Sequence, residues 1–129
     1  MTSRALTCVF YVDDEPDIRE VVELALGLVP GLTVRTCPSG TQALQELPLV
    51  MPDLVLLDVM MPGLDGPATF AKMREDERLR SLPVIFMTAK ALPQEIDRFM
   101  QLGAVGVISK PFDPVQLGVR VQELWSTLP

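Results

Sequence analysis

Histidine is missing from this sequence of 129 residues, cysteine occurs twice, and aromatic residues make up only 5%. Without imidazole, both a Ser-His-Asp triad and a histidine-rich zinc site are excluded. Cys8 and Cys37 lie in apolar segments and lack metal-ligand spacing, so we expect reduced thiols of an intracellular protein. Because 48% of the residues are hydrophobic and so few are aromatic, the predicted core is aliphatic.

Basic residues are also few: 11 Lys and Arg stand against 17 Asp and Glu, which gives a net charge of −6. Phosphate binding needs clustered Lys and Arg, so the sequence predicts no nucleic-acid partner. The first apolar segment, residues 5–12, is cut off by Asp13 and is too short to span a bilayer, so no membrane partner is expected. We therefore expect one cytoplasmic domain comprising residues 1–129.

Apolar, β-rich segments alternate with segments of helical periodicity along the whole chain. Strands are predicted at residues 6–12, 32–36, 54–58, 83–88 and 105–109. The predicted helices begin near Pro16, Ser39, Gly66, Pro93 and Asp113. Five alternations without a long linker or a repeat predict a doubly wound α/β domain with a parallel sheet.

Polar residues end four of the five predicted strands. Asp13 and Asp14 follow the first, Asp58 ends the third, Thr88 ends the fourth and Lys110 follows the fifth. Parallel strands end at one edge of the sheet, so these side chains are expected to meet there. Taken singly, each has an ordinary explanation, such as an acidic pair near a helix dipole or a solvated lysine. Together they favour a site, because clustered carboxylates repel one another unless a cation compensates.

The predicted cluster suits phosphoryl chemistry. Carboxylate oxygens are ligands that Mg²⁺ prefers, and Mg²⁺ with Lys110 and the Thr88 hydroxyl could hold phosphoryl oxygens. A carboxylate can itself attack phosphorus and form an acyl phosphate. Asp58, which lies between the other acids, is the predicted nucleophile.

Four segments carry a resemblance to a known family. They are YVDDEP at residues 11–16, LLDVMMPGLDG at 56–66, MTA at 87–89 and KPF at 110–112. In this order and on these elements they closely resemble the receiver domain of two-component response regulators. The resemblance implies a flavodoxin-like five-stranded sheet of order 2-1-3-4-5 with helices on both faces. It also implies a phosphoprotein of a phosphorelay that acts on a downstream protein target and is not an enzyme with outside substrates.

The resemblance further implies a role for each site residue. Asp58 would be the phosphoacceptor, charged by a histidine kinase or a histidine phosphotransfer protein. Asp13, Asp14, Asp58 and the backbone carbonyl of Met60 would hold Mg²⁺. Lys110 would bind the phosphoryl group, Thr88 would move toward it and report its presence, and the Lys110–Pro111 peptide bond would be cis.

Some positions depart from the family pattern. Val107 stands where the family often has a rotating Tyr or Phe, so the usual aromatic readout is not expected. Met60 and Lys90, each two residues beyond a site residue, occupy places that influence the acyl-phosphate lifetime. The chain contains no predicted output domain, and composition does not decide between a stand-alone receiver and a part of a longer protein.

Two other functions remain open at this point. One is a Mg²⁺-dependent phosphatase of the haloacid-dehalogenase type, which generally has a second Asp two residues after the nucleophile, where this sequence has Met60. The other is a pseudo-receiver that binds partners without being phosphorylated. The intact set of Asp58, the acid pair, Thr88 and Lys110 speaks against it.

Overall fold

The structure is a computed structural model that describes residues 4–128, so the predicted domain limits at 1 and 129 lie outside the described residues. Strand and helix alternate five times within that range. The strands are β1 Cys8–Val12, β2 Thr33–Cys37, β3 Leu54–Asp58, β4 Val84–Thr88 and β5 Gly106–Ser109. The helices are α1 Pro16–Gly27, α2 Gly40–Val50, α3 Gly66–Glu75, α4 Pro93–Leu102 and α5 Pro114–Ser126.

All neighbouring strands pair in parallel, in the order β2-β1-β3-β4-β5, which confirms the predicted fold class. The register aligns the carboxyl ends of the strands: Val12 lies opposite Cys37 on one side and Leu57 on the other. Asp58 in turn lies opposite Met87. The residues that follow β1, β3, β4 and β5 therefore share one edge of the sheet.

The strands are buried on both faces because helices cover both. Within β3, Leu54 and Leu56 pack toward α1 and α5, whereas Val55 and Leu57 pack toward α2, α3 and α4. This alternation explains why the sequence of β3 is continuously apolar until Asp58. The strand therefore stays in the core until it reaches the site.

The core is less purely aliphatic than predicted. Phe86 of β4 contacts Phe70 of α3 and Phe99 of α4, with ring centroids 5.4 and 4.6 Å apart. Trp125 is also buried, in the opposite layer, and its indole N–H donates to the Arg4 carbonyl at 2.8 Å. The aromatic residues are few, but they fill buried positions in both layers.

The helix ends follow the capping signals in part. Ser39 Oγ accepts from Gln42 N at 3.1 Å as predicted, but the Gln42 side chain donates to Glu46 and does not complete a capping box. Gly103 ends α4 with φ of 113°. Pro48 lies inside α2, which was not predicted from the sequence.

β3 has the predicted bounds, whereas the other four strands shift by one or two residues at one end or both. β1 begins at Cys8 and not at Leu6. The preceding backbone is held by a side chain: Asp53 Oδ2 accepts from Thr7 N at 2.9 Å, from Thr7 Oγ1 at 2.8 Å and from Cys8 N at 3.0 Å. Cys8 and Cys37 are free thiols, and burial raises the pKa of the Cys37 thiol to about 11.

Candidate functional site

The carboxyl edge of the sheet brings three acids together, as the sequence predicted. Oxygens of Asp13, Asp14 and Asp58 all lie within 4.8 Å of one another. Asp13 and Asp14 follow β1, and Asp58 is the last residue of the neighbouring strand β3. The two strands are paired in register, so the clustering follows directly from the parallel topology.

Lys110 reaches this cluster from the loop after β5. Its ammonium nitrogen lies 3.2 Å from Asp13 Oδ2 and 3.3 Å from Asp58 Oδ1. Lys110 N donates to the Thr88 carbonyl at 2.8 Å, and the Lys110–Pro111 peptide bond is cis, as predicted. Burial alone would lower the pKa of Lys110, but the attraction of Asp13 and Asp58 outweighs it and raises the pKa.

Asp58 is a buried carboxylate with only 4% of its surface exposed. Burial and the repulsion of Asp13 raise its pKa to about 6, against the opposing attraction of Lys110. Gly66 fits closely against its backbone: a Cβ atom at that position would stand 2.4 Å from the Asp58 carbonyl oxygen. The first residue of α3 is therefore restricted to glycine by the approach of the helix to β3.

Asp13 is fully buried and held by more donors than Asp58. Its Oδ2 accepts from the Tyr11 hydroxyl and from Lys110, its Oδ1 accepts from Glu15 N at 2.9 Å, and Arg19 Nη1 donates to its carbonyl at 2.7 Å. Tyr11 was not among the site residues predicted from the sequence. The available signal was its place two residues before Asp13, because alternate residues of a strand point to the same face.

The two remaining predicted site residues lie at the same edge of the sheet, at or after the ends of β4 and β3. Thr88 ends β4 and is buried, and its Oγ1 accepts a hydrogen bond from Lys90 N at 3.0 Å. Met60 lies in the loop after β3, and its side chain is 74% exposed. The role of the Met60 carbonyl as a metal ligand and the movement of Thr88 both stay predictions.

Val107, which stands where the family often has an aromatic residue, lies opposite Phe86 in the register of β5 and β4. It is half-buried and packs against the core layer that contains Phe86. The aromatic residue next to this position, Phe86 of β4, is thus fully buried in the core, and the edge strand β5 contains no aromatic residue.

The donor set fits a hard divalent cation. Three carboxylates and one ammonium leave two negative charges when all the acids are ionised. The acids offer only oxygen ligands, and Asp14 remains partly exposed, so a cation with retained waters can be accommodated. The residues present therefore fit Mg²⁺.

The response regulator receiver domain family matches residues 9–122, and the chain belongs to that family. It is 40% identical over 113 residues to the response regulator Rre1 of Synechocystis, covering 88% of this chain and 49% of that protein. It is 35% identical over 116 residues to the transcriptional regulatory protein CseB of Streptomyces coelicolor, covering 90% of this chain and 48% of that protein.

Solved structures give the same fold. The chemotaxis protein CheY4 of Vibrio cholerae is 28% identical with a TM-score of 0.83, covering 93% of this chain and 99% of that one. A receiver domain of a histidine kinase from Syntrophus aciditrophicus is 31% identical with a TM-score of 0.80, covering 95% and 92%. The chain is thus a signalling domain of the two-component type.

The predicted exclusion of nucleic acid as a partner is wrong. CseB is named a transcriptional regulatory protein, and RpaA of Synechocystis, 31% identical, is named a DNA-binding transcriptional regulator. The chain spans about half the length of these curated relatives. The net charge of −6 describes these 129 residues alone, so it carried no information about what the longer proteins bind.

For membranes, no helix within residues 4–128 is long and apolar enough to cross a bilayer.

Proposed function

We propose that the domain is a phosphorylation-dependent switch that accepts a phosphoryl group on Asp58 from a phosphohistidine donor. The observation that carries this proposal is the position of Asp58: a buried carboxylate beside two other acids, with the ammonium of Lys110 at 3.3 Å. A histidine kinase or a histidine phosphotransfer protein would supply the donor. Relatives named as transcriptional regulators make transcription the process that such a switch would control.

In the proposed reaction, an oxygen of Asp58 attacks the phosphorus of the donor. The P–O bond to Asp58 forms as the P–N bond to the donor imidazole breaks, and the imidazole leaves with its electron pair and takes up a proton. Lys110 is placed to turn its ammonium from the carboxylates to the new phosphoryl oxygens. Thr88 would then donate its hydroxyl to the phosphoryl group.

Asp13, Asp14 and Asp58, with the Met60 carbonyl, would hold Mg²⁺. When bound, this ion supplies charge neutralisation for the carboxylates and for the transferred phosphoryl group. Asp13 and Asp58 are buried, whereas Asp14 is partly exposed. The buried pair would therefore fix the site, and Asp14 would face the side from which ligand and water enter.

The phosphatase alternative has little support from the site. A phosphatase acting on outside substrates needs an acid/base near the nucleophile, and the side chain two residues beyond Asp58 is the exposed, apolar Met60. The pseudo-receiver alternative predicts that no acyl phosphate forms at all. The following experiment separates the pseudo-receiver from the proposed switch.

The protein is incubated with acetyl phosphate and Mg²⁺, and its intact mass is measured. We expect an adduct of one phosphoryl group that is labile to base, maps to Asp58 and is lost when EDTA is added beforehand. Asp58→Asn should show no adduct, whereas Asp97→Asn, which removes an exposed acid of α4, should be labelled like the wild type. Labelling that persists in Asp58→Asn contradicts the assignment, and an unlabelled wild type favours the pseudo-receiver.

A further inference from the structure

The two oxygens of the Asp13 carboxylate have different surroundings. Oδ2 accepts from the Tyr11 hydroxyl at 2.5 Å and from Lys110 Nζ at 3.2 Å, whereas Oδ1 accepts only from Glu15 N, at 2.9 Å, among the bonds of residues 4–128. An ionised carboxylate oxygen has about two lone pairs for hydrogen bonds or metals. Oδ2 is therefore saturated by protein donors, and Oδ1 keeps one free lone pair.

We propose that Tyr11 is a positioning residue that reserves Asp13 Oδ1 for the metal and thereby makes the site select Mg²⁺ over Ca²⁺. The inference rests on the proposed function, because it concerns the same cation. The apolar sequence of β1 gives no indication of this role for Tyr11. The hydroxyl acts through Asp13 and touches neither the metal nor the phosphoryl group.

Tyr11 is better suited to this task than Lys110. It is fully buried in β1, where its ring packs in the core layer formed with α1 and α5, so the position of its hydroxyl is fixed. Lys110 lies in a loop and contacts Asp58 as well as Asp13. When its ammonium turns to a phosphoryl group on Asp58, Tyr11 is the donor that remains on Oδ2.

The selectivity follows from the coordination habits of the two ions. Mg²⁺ requires near-octahedral geometry with single oxygens, whereas Ca²⁺ takes six to eight ligands and readily accepts both oxygens of one carboxylate. While Tyr11 and Lys110 fill both lone pairs of Oδ2, Asp13 can offer only Oδ1. Removing the hydroxyl frees a lone pair on Oδ2 and permits two-oxygen binding, which favours Ca²⁺.

The test compares Mg²⁺ and Ca²⁺ affinities, measured by calorimetry, in the wild type, Tyr11→Phe and Val9→Ala. Val9 is the matched control, because it is buried in the same strand and the same core layer but lies near the start of β1, at the far end of the strand from Asp13. For Tyr11→Phe we expect the Mg²⁺ affinity to fall about 10-fold, as is typical when a group supporting a metal ligand is lost. The Ca²⁺ affinity should fall less or rise, so that the ratio of the two dissociation constants changes. Val9→Ala should keep the wild-type ratio even if it is less stable.

A second measurement does not depend on the variant folding. Tyr11 is the only tyrosine of the chain, so 3-fluorotyrosine incorporated into the wild type labels this position alone. We expect its ¹⁹F resonance to shift on addition of Mg²⁺. A ¹⁹F resonance unaffected by saturating Mg²⁺, or an unchanged affinity ratio in Tyr11→Phe, overturns the proposal for Tyr11 while Mg²⁺ still binds. A wild type that binds neither ion contradicts the proposed metal site itself and with it the inference.

Discussion

The ammonium nitrogen of Lys110 lies 3.3 Å from Asp58 Oδ1, and both side chains are largely shielded from solvent. The two residues are 52 positions apart in the sequence, and the parallel pairing of β3, β4 and β5 brings them together. This contact compensates part of the repulsion between Asp58 and Asp13. It lets the acids remain close together before any phosphoryl group or metal arrives.

Replacing Lys110 by Met should raise the pKa of Asp58 further above its present value of about 6. The attraction of Lys110 opposes burial and the repulsion of Asp13, so its loss leaves both acting unopposed. The titration can be followed by ¹³C NMR of the aspartate carboxyl groups in metal-free protein. Lys72→Met, which removes an exposed lysine of α3, serves as the control. An Asp58 titration that is the same in Lys110→Met and in the wild type would show that the contact carries no charge compensation.

Asp58→Asn should stabilise the metal-free protein at neutral pH. The pKa of Asp58 is 3.8 in an unperturbed chain and about 6 in the fold, so between these values the folded state holds a proton that the unfolded state has released. The contribution of Asp58 to the free energy of unfolding therefore falls as pH rises from about 4 to about 6. Above about pH 6, Asp58 is ionised in both states and the destabilisation has reached its full size. At pH 7.5 the Asn variant should be more stable by about 1–3 kcal/mol, since one pKa unit corresponds to about 1.4 kcal/mol.

The same comparison at other conditions checks the sign. Below pH 4 the difference between Asp58→Asn and the wild type should vanish, because Asp58 is then protonated in both states. Saturating Mg²⁺ at pH 7.5 should stabilise the wild type more than the variant. Urea unfolding at each pH gives the free energies, with Asp97→Asn as the control. A variant less stable than the wild type at pH 7.5 without metal would mean that burial of the ionised Asp58 is not costly.

Most of the site could be predicted from the sequence because it follows from topology. Strict alternation of strand and helix requires a parallel sheet, and a parallel sheet places every strand end on one edge. The positions of Asp13, Asp14, Asp58 and Lys110 needed no further information. Their proximity depends on the backbone, and side-chain conformations only adjust it.

Features that depend on individual side-chain contacts could not be predicted. Tyr11 in an apolar strand has the sequence context of a packing residue. Its hydrogen bond to Asp13 depends on the orientation of the ring, which the sequence does not indicate. The start of β1 depends on Asp53, which is 45 residues away from Cys8 and caps the backbone there with its side chain. Nucleic-acid partners could not be judged either, because the charge of one domain does not describe the rest of a longer protein.

Thr88→Val should leave phosphoryl incorporation at Asp58 largely intact but abolish the effect of phosphorylation on the Lys90 amide. In the present structure Thr88 Oγ1 accepts from Lys90 N at 3.0 Å, and a hydroxyl that turns to the phosphoryl group must weaken this bond. We therefore expect the Lys90 amide resonance to shift on phosphorylation in the wild type and in Thr88→Ser. In Thr88→Val the Lys90 amide resonance should not shift on phosphorylation. An equal shift in the Val variant would exclude the hydroxyl as the reporter.

Gly66→Ala should lower the stability of the domain and also displace the backbone at Asp58. A Cβ atom there would stand 2.4 Å from the Asp58 carbonyl oxygen and 2.9 Å from Val59 Cα, so backbone and not a flexible side chain must move. We expect a loss of about 1–3 kcal/mol in the free energy of unfolding, as for an overpacked core position, and a reduced rate of phosphoryl incorporation.

Gly27→Ala is the matched control for Gly66, because it also lies in a helix but has nothing within 4 Å of the added Cβ atom. Alanine should stabilise that position by about 0.5–1 kcal/mol through its higher helix propensity and leave phosphorylation unchanged. Urea unfolding and the mass shift after acetyl phosphate treatment measure both effects. If Gly66→Ala matched Gly27→Ala in both measurements, the close approach of α3 to β3 would not be what positions Asp58.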